Sequence, residues 1–275
     1  PIKPLWFKPV SNERRNANPD QECKKAIETL LQDLFGHKEF REGQEEAIIR
    51  TLSGENTAVM LPTGTGKSLI FQIAGLLRPG VTLIVDPLVS LINDQERGLN
   101  DQTIDRVTAL TGSNIKEDRE ILKSVGRGDA VFTFLTPERL QIESFREQLK
   151  ELTQTTLINL VIIDESHCVS EWGHDFRTAY LNVSKNLKSH CVDINFREPP
   201  LLALTATASP AVRRDMFREL NFDSRDPDSL QTPSSHEREE LHLSITLSEN
   251  SAKRTNLTKI VFEEIPNQLG LDPSV

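Results

Sequence analysis

Two stretches combine residue types and spacings that could do chemistry on a polyphosphate. The first is Leu61-Pro62-Thr63-Gly64-Thr65-Gly66-Lys67-Ser68. Its two glycines let backbone N–H groups turn inward onto phosphate oxygens, and a helix opening here would add partial positive charge. Lys67 would reach the β/γ-phosphates and the Ser68 hydroxyl would hold Mg²⁺; the general pattern has a glycine where Leu61 stands. The second stretch, Val161-Ile162-Ile163-Asp164-Glu165-Ser166-His167, delivers two carboxylates at the end of an apolar run. Asp164 would hold the cation through water, and Glu165 would orient and deprotonate an attacking water. Each has a plainer reading alone: a glycine turn before an ordinary helix, and a strand ending in a solvated acidic turn. Together they favour phosphoryl chemistry. Cys168 to Arg177 follows directly, with Trp172, His174, Phe176 and Arg177 around Gly173. Exposed aromatics beside an arginine suit base stacking and phosphate contact with a single strand. By spacing alone, Trp172 and Phe176 at i and i+4 read more plainly as one apolar helix face in a core.

These residues need strands and helices to bring them together. Apolar runs at 58–61, 81–85, 130–135, 157–163 and 201–204 read as strands, with a weaker one near 106–110. Ala26, Ile27, Leu30, Leu31 and Leu34 predict a first helix ending at Gly36, and a second runs from about Glu42 to Leu52 with Gly54 as its cap. Asn114 with Glu117, Thr136 with Pro137, and Ser209 with Pro210 are helix-start signals. Strands too continuously apolar for one wet face, alternating with helices, predict an α/β fold: a parallel sheet with helices on both faces.

Residues 1–19, with four prolines and no apolar period, read as an extended arm or linker whose Trp6-Phe7 packs onto the body, the plainer reading, or onto a partner. Residues 20–222 read as the body that carries both stretches, and 223–275 as a linker and a short end, too little for a second domain. Within the latter, Asp223 to Ser235 is a polar linker, Leu241 to Leu247 alternates like a half-buried strand, and 252–263 is amphipathic.

Composition bounds the partners. The chain has 275 residues, 37% of them hydrophobic, enough for a sizeable core. No apolar run approaches the ~18 residues of a membrane span, so no membrane partner is expected. Without a secretory signal pattern, and with three widely spaced cysteines, the expected location is intracellular: cytoplasmic (nucleoid) or nuclear. The chain begins with Pro1, as a processed chain or a piece of something longer would. Net charge is −9, of which ten acidic and five basic residues after Phe222 supply −5. DNA contact would therefore be a local groove, not a basic face.

In order, Phe35-Gly36-His37-Lys38-Glu39-Phe40-Arg41-Glu42-Gly43-Gln44, the Leu61–Ser68 loop, Pro87 to Gln95, Thr136 to Leu140, Asp164 to Arg177 and Ala203 to Ala208 resemble the RecQ family of superfamily 2 DNA helicases. The resemblance runs from about Leu30 to Phe222 and implies the first RecA-like P-loop NTPase lobe, with 20–222 as the ATP-binding domain and 223–275 as a linker and the truncated start of a second lobe. It implies that Phe35, Arg41 and Gln44 read the adenine, and that Thr63, Gly64, Thr65, Gly66, Lys67 and Ser68 bind phosphates and Mg²⁺ with Asp164. It implies catalysis by Lys67, Asp164, Glu165 and His167, with His167, Thr205 and Thr207 coupling nucleotide state to DNA grip. Ser90, Gln95 and the Thr136–Arg139 turn would touch the DNA backbone, and Trp172, Phe176 and Arg177 would sense single-stranded or partly duplex DNA. ATP, Mg²⁺ and a second RecA-like lobe are the implied cofactors and partner. One departure is Asp86, where the family usually has a small hydroxyl residue; it would place a negative charge near the DNA path. Two other readings are an RNA helicase or other translocase of the superfamily, and a non-catalytic nucleotide- or nucleic-acid-binding module.

Overall fold

The continuously apolar runs become strands with few exposed positions. They are β1 (Thr57–Met60), β2 (Val81–Val85), β3 (Val107–Leu110), β4 (Phe132–Leu135), β5 (Ile158–Ile163) and β6 (Leu201–Thr205). The computed structural model describes residues 21–111, 115–170, 177–233 and 247–265. The chain divides into two compact units with the boundary after His236.

In the first unit every strand pair is parallel, in the order β3-β4-β2-β5-β6-β1-β7. The seventh strand, β7, is the pair Leu230–Gln231, lying against Ala58 and Val59 of β1. It falls in the polar stretch read as a linker, and its place comes from pairing with β1, not from its own hydrophobicity.

Apolar residues fill both faces of the sheet. On one face, α1 (Gln21–Asp33), α2 (Gln44–Leu52), α3 (Lys67–Leu77) and α4 (Val89–Asp101) pack Ile27, Ile48, Ile70 and Ile92 with Phe132 and Phe134. The other face is covered by α5 (Ile115–Gly126), α6 (Glu143–Leu152), α7 (Val183–His190) and α8 (Pro210–Leu220), through Leu122, Phe145, Leu187 and Met216. The expected α/β architecture is present. Gly75 lets α3 lie close: a Cβ there would come within 2.6 Å of the Phe132 ring and 2.7 Å of Thr82 Oγ1.

Two of the start signals behave differently. Ser209 caps α8, its hydroxyl accepting from the Val212 N–H at 3.3 Å. Thr136-Pro137 opens only a 3₁₀ turn, Pro137–Gln141, and α6 begins later at Glu143. Asn114, the arm at 1–19 and the alternating stretch at 241–246 lie outside the described residues. In the second unit, α9 (Lys253–Lys259) runs into a π-helical turn, Ile260–Glu264.

Candidate active site

The glycine loop joins β1 to α3. Gly64 and Gly66 both have φ of 82°, a left-handed conformation that side chains resist. A Cβ on Gly66 would also stand 2.9 Å from the Gln44 Nε2. Thr65 tightens the turn, its hydroxyl donating to the Pro62 carbonyl at 2.6 Å. Lys67 spans the loop, its Nζ donating to the Leu61 carbonyl at 3.2 Å, and Ser68 lies half-buried in the first turn of α3.

The loop is braced from α2 and the residues before it. Arg41 Nη1 donates to the Gly64 carbonyl at 2.5 Å. Gln44 donates to the carbonyls of Thr65 at 2.8 Å and Gly66 at 3.1 Å, and its Oε1 accepts from the Arg41 N–H. The carboxamide expected to read a base is thus buried and engaged with the phosphate loop. Phe35, in the turn after α1, is half-buried against the α1–α4 core.

Asp164 and Glu165 follow β5. The Asp164 N–H donates to the Val85 carbonyl at 2.9 Å, and its own carbonyl accepts from the Tyr180 hydroxyl at 3.0 Å. Glu165 has φ of 47° and ψ of 45°, rare for a residue with a side chain, and its N–H donates to Asp164 Oδ1 at 2.8 Å. Burial, then the neighbouring Asp86 carboxylate, pushes Asp164 up to about 7. Glu165 moves the other way, held below the usual carboxylate range by its hydrogen bond from His167. His167 is pushed up to about 10, first by the Cys168 sulfur and then by Glu165. Its Nδ1 lies 3.2 Å from Glu165 Oε2 and 3.0 Å from Thr205 Oγ1. Thr205 is fully buried at the end of β6, its hydroxyl donating to the Thr207 carbonyl and its own carbonyl accepting from the Leu61 N–H. Thr207 is exposed.

The residues expected to meet DNA divide. Ser90 is exposed in the first turn of α4, beside Leu88, Val89 and Leu91, which are exposed as well. Gln95 is half-buried, and its Oε1 has no hydrogen-bond partner. Arg177 is half-buried and donates to the Pro87 carbonyl at 2.7 Å, while Trp172 and Phe176 lie outside the described residues. Arg139 is no surface residue: it is buried and paired with the equally buried Asp118 at 2.8 Å. Asp86 is fully buried as well, so it puts no charge on the surface. The sequence drew attention to neither Tyr180 nor Asp118; the first is the chain's single tyrosine, a signal only in hindsight.

The donor set suits a metal–nucleotide. Left-handed glycines form a cradle, Lys67 and the α3 N-terminus are positive, and the Ser68 hydroxyl and Asp164 carboxylate are hard oxygen ligands. Among the described residues no group of three or more His, Cys, Asp or Glu could hold a metal alone, so a cation here would depend on phosphate oxygens. No helix among the described residues is long and apolar enough to cross a membrane.

Residues 41–215 match the model of the DEAD/DEAH box helicase family. The chain is 38% identical over 200 residues to the ATP-dependent DNA helicase RecQ of Bacillus subtilis (strain 168), covering 71% of this chain and 32% of that protein. It is 38% identical over 217 residues to the ATP-dependent DNA helicase Q-like 4B of Arabidopsis thaliana, covering 77% of this chain and 18% of that one. It therefore spans about a third or less of the length of these relatives. Among solved structures, the Hef helicase domain of Pyrococcus furiosus is similar in fold, with a TM-score of 0.52 at 21% identity, over 70% of this chain and 38% of that one.

Proposed function

Since the chain belongs to the DEAD/DEAH box helicase family, we propose that it is the ATP-binding motor lobe of a RecQ-like DNA helicase. In the longer protein it would couple ATP hydrolysis to 3′-to-5′ movement on single-stranded DNA. One observation carries the reading. Lys67 after β1, Glu165 after β5 and Thr205 at the end of β6 come from three adjacent strands, and the His167 ring touches both Glu165 and Thr205.

The left-handed glycines turn backbone N–H groups onto the phosphates, and Lys67 supplies positive charge there. Ser68 and Asp164 would hold Mg²⁺, which when bound offsets charge on the β- and γ-phosphates. Glu165, kept ionised by His167, is placed to take the proton of an attacking water. A change at Glu165 reaches β6 through His167 and Thr205, which is the proposed route of coupling. Adenine would be read by Gln44, with Phe35 and Arg41 beside it, after its bonds to the loop open. Trp172, Phe176 and Arg177, with Ser90 and Gln95, would meet the DNA, and Thr207 would belong with Thr205 to the coupling segment. A second RecA-like lobe would close the site, in an intracellular compartment that holds DNA.

A fluorescent ATP analogue titrated into this chain with Mg²⁺ tests the reading. Binding is expected, weakened about tenfold or more by Lys67→Ala, which removes a charge-assisted contact. No binding by the unaltered chain overturns it. Preference for single-stranded RNA over DNA of the same sequence would redirect it to an RNA helicase.

A further inference from the structure

Asp86 leaves the end of β2 beside Asp164. Val85 stands opposite Ile163 in the parallel register, so residues 86 and 164 emerge together from neighbouring strands. Asp86 is fully buried; its Oδ1 accepts from the Leu88 N–H at 2.9 Å, while Oδ2 has neither solvent nor a hydrogen-bond partner. Among the described residues no ion pair reaches Asp86 or Asp164. Lys67 is on the Leu61 carbonyl, Arg177 on the Pro87 carbonyl, and His167 on Glu165. A buried carboxylate with an orphaned oxygen is costly, so its retention beside Asp164 asks for a role outside the fold's own hydrogen bonding. Two carboxylates are thus held side by side with no ion pair to either among the described residues, the Arg177 and Lys67 charges acting on them only from a distance.

We propose that Asp86 is a positioning residue for the nucleotide-bound divalent cation, acting through Asp164, so that the lobe accepts ATP as its metal complex and disfavours the metal-free nucleotide. The inference rests on the ATP-site reading above. Asp86 is sealed from solvent, and no three-carboxylate metal group is present among the described residues, so it acts as a charge behind the ligand and not as a ligand. In a low-dielectric interior such a charge attracts a dication and repels a polyphosphate. The two effects have opposite signs, which a merely structural residue would not produce.

The experiment is binding of a fluorescent ATP analogue to this chain across free Mg²⁺ concentrations and in EDTA, for the unaltered chain, Asp86→Asn and Asp86→Ser. Both variants are expected to raise the half-saturating Mg²⁺ about tenfold and to bind the analogue several-fold tighter in EDTA. Unchanged Mg²⁺ midpoints, or Mg²⁺-dependent and metal-free binding that move together, overturn the proposal. Asparagine keeps the carboxylate shape and the acceptor for Leu88; serine gives up the shape and keeps only a hydroxyl acceptor, so either variant that folds carries the test. Failure of both to fold overturns it too, since a charge that serves a cation is dispensable to the fold. If the unaltered chain binds no nucleotide, the ATP-site reading fails; if it binds and the variants match it, only this inference does.

Discussion

Gln44 is committed within the lobe before any ligand arrives. Its carboxamide makes three hydrogen bonds to the backbone of the phosphate loop and its approach. Gln44→Ala leaves the Thr65 and Gly66 carbonyls short of a donor, at about 1 kcal/mol net for each bond. The expected loss is about 1–3 kcal/mol of stability together with weaker nucleotide binding, read by urea denaturation and analogue titration. A second residue-scale prediction concerns pH. Burial, then the repulsion of Glu165, pushes Asp86 up to about 6 against the Leu88 N–H and the Arg177 charge, and Asp164 rises to about 7. Between the ordinary carboxylate value near 4 and these values, the folded chain holds protons that the unfolded chain has released. Stability contributed by these groups is thus fully present below about pH 4 and lost as pH rises through 6 and 7. Asp86→Asn should match the unaltered chain near pH 4 and exceed it by about 1–3 kcal/mol at pH 8. Denaturation curves at pH 4.5, 6 and 8 would show this, and parallel curves at every pH would contradict it.

At the scale of elements, the buried Arg139–Asp118 pair joins the 3₁₀ turn after β4 to α5, with Arg139 Nε and Asp118 Oδ2 lacking partners. Removing one partner strands a charge in the interior, whereas removing both does not. Asp118→Ala is expected to cost about 3–5 kcal/mol, and Asp118→Leu with Arg139→Met to recover most of it, measured as a double-mutant cycle. This pair also marks what the sequence could show. Strands β2, β4, β5 and β6 were legible because burial on both faces makes them continuously apolar. The glycine loop and the Asp164-Glu165 pair were legible because their chemistry is contiguous. Three features were not: β7 exists through pairing with β1, Arg139 finds Asp118 at a distance of 21 residues, and Asp86 meets Asp164 only through strand register. Each is set by which elements become neighbours, and local spacing holds no record of that.

At the scale of the whole molecule, the site has one wall. Phosphoryl transfer needs charge stabilisation around the migrating group, and an arginine reaching in from outside is worth ~10³–10⁵ in rate. Here the described arginines flanking the site already have partners: Arg41 is on the Gly64 carbonyl and Arg177 on the Pro87 carbonyl. Among the described residues Lys67 would be the cation to face the phosphates on the proposed reading, leaving the Leu61 carbonyl to do so. Binding and hydrolysis should therefore separate in this chain. On the proposed reading, nucleotide binding would draw on the glycine cradle, Lys67, Ser68 and Asp164. The chemical step would draw on Glu165 for its base, with the two described arginines flanking the site, Arg41 and Arg177, already engaged. The expected outcome is measurable binding with a turnover of roughly 10⁻³ of a complete helicase, changed little by single-stranded DNA. Glu165→Gln should abolish even that residue of activity while leaving binding intact. Single-turnover hydrolysis beside analogue titration measures both quantities on one preparation. Fast, DNA-stimulated turnover that Lys67→Ala abolishes would mean that this chain carries a complete site, and the need for a second lobe would fall.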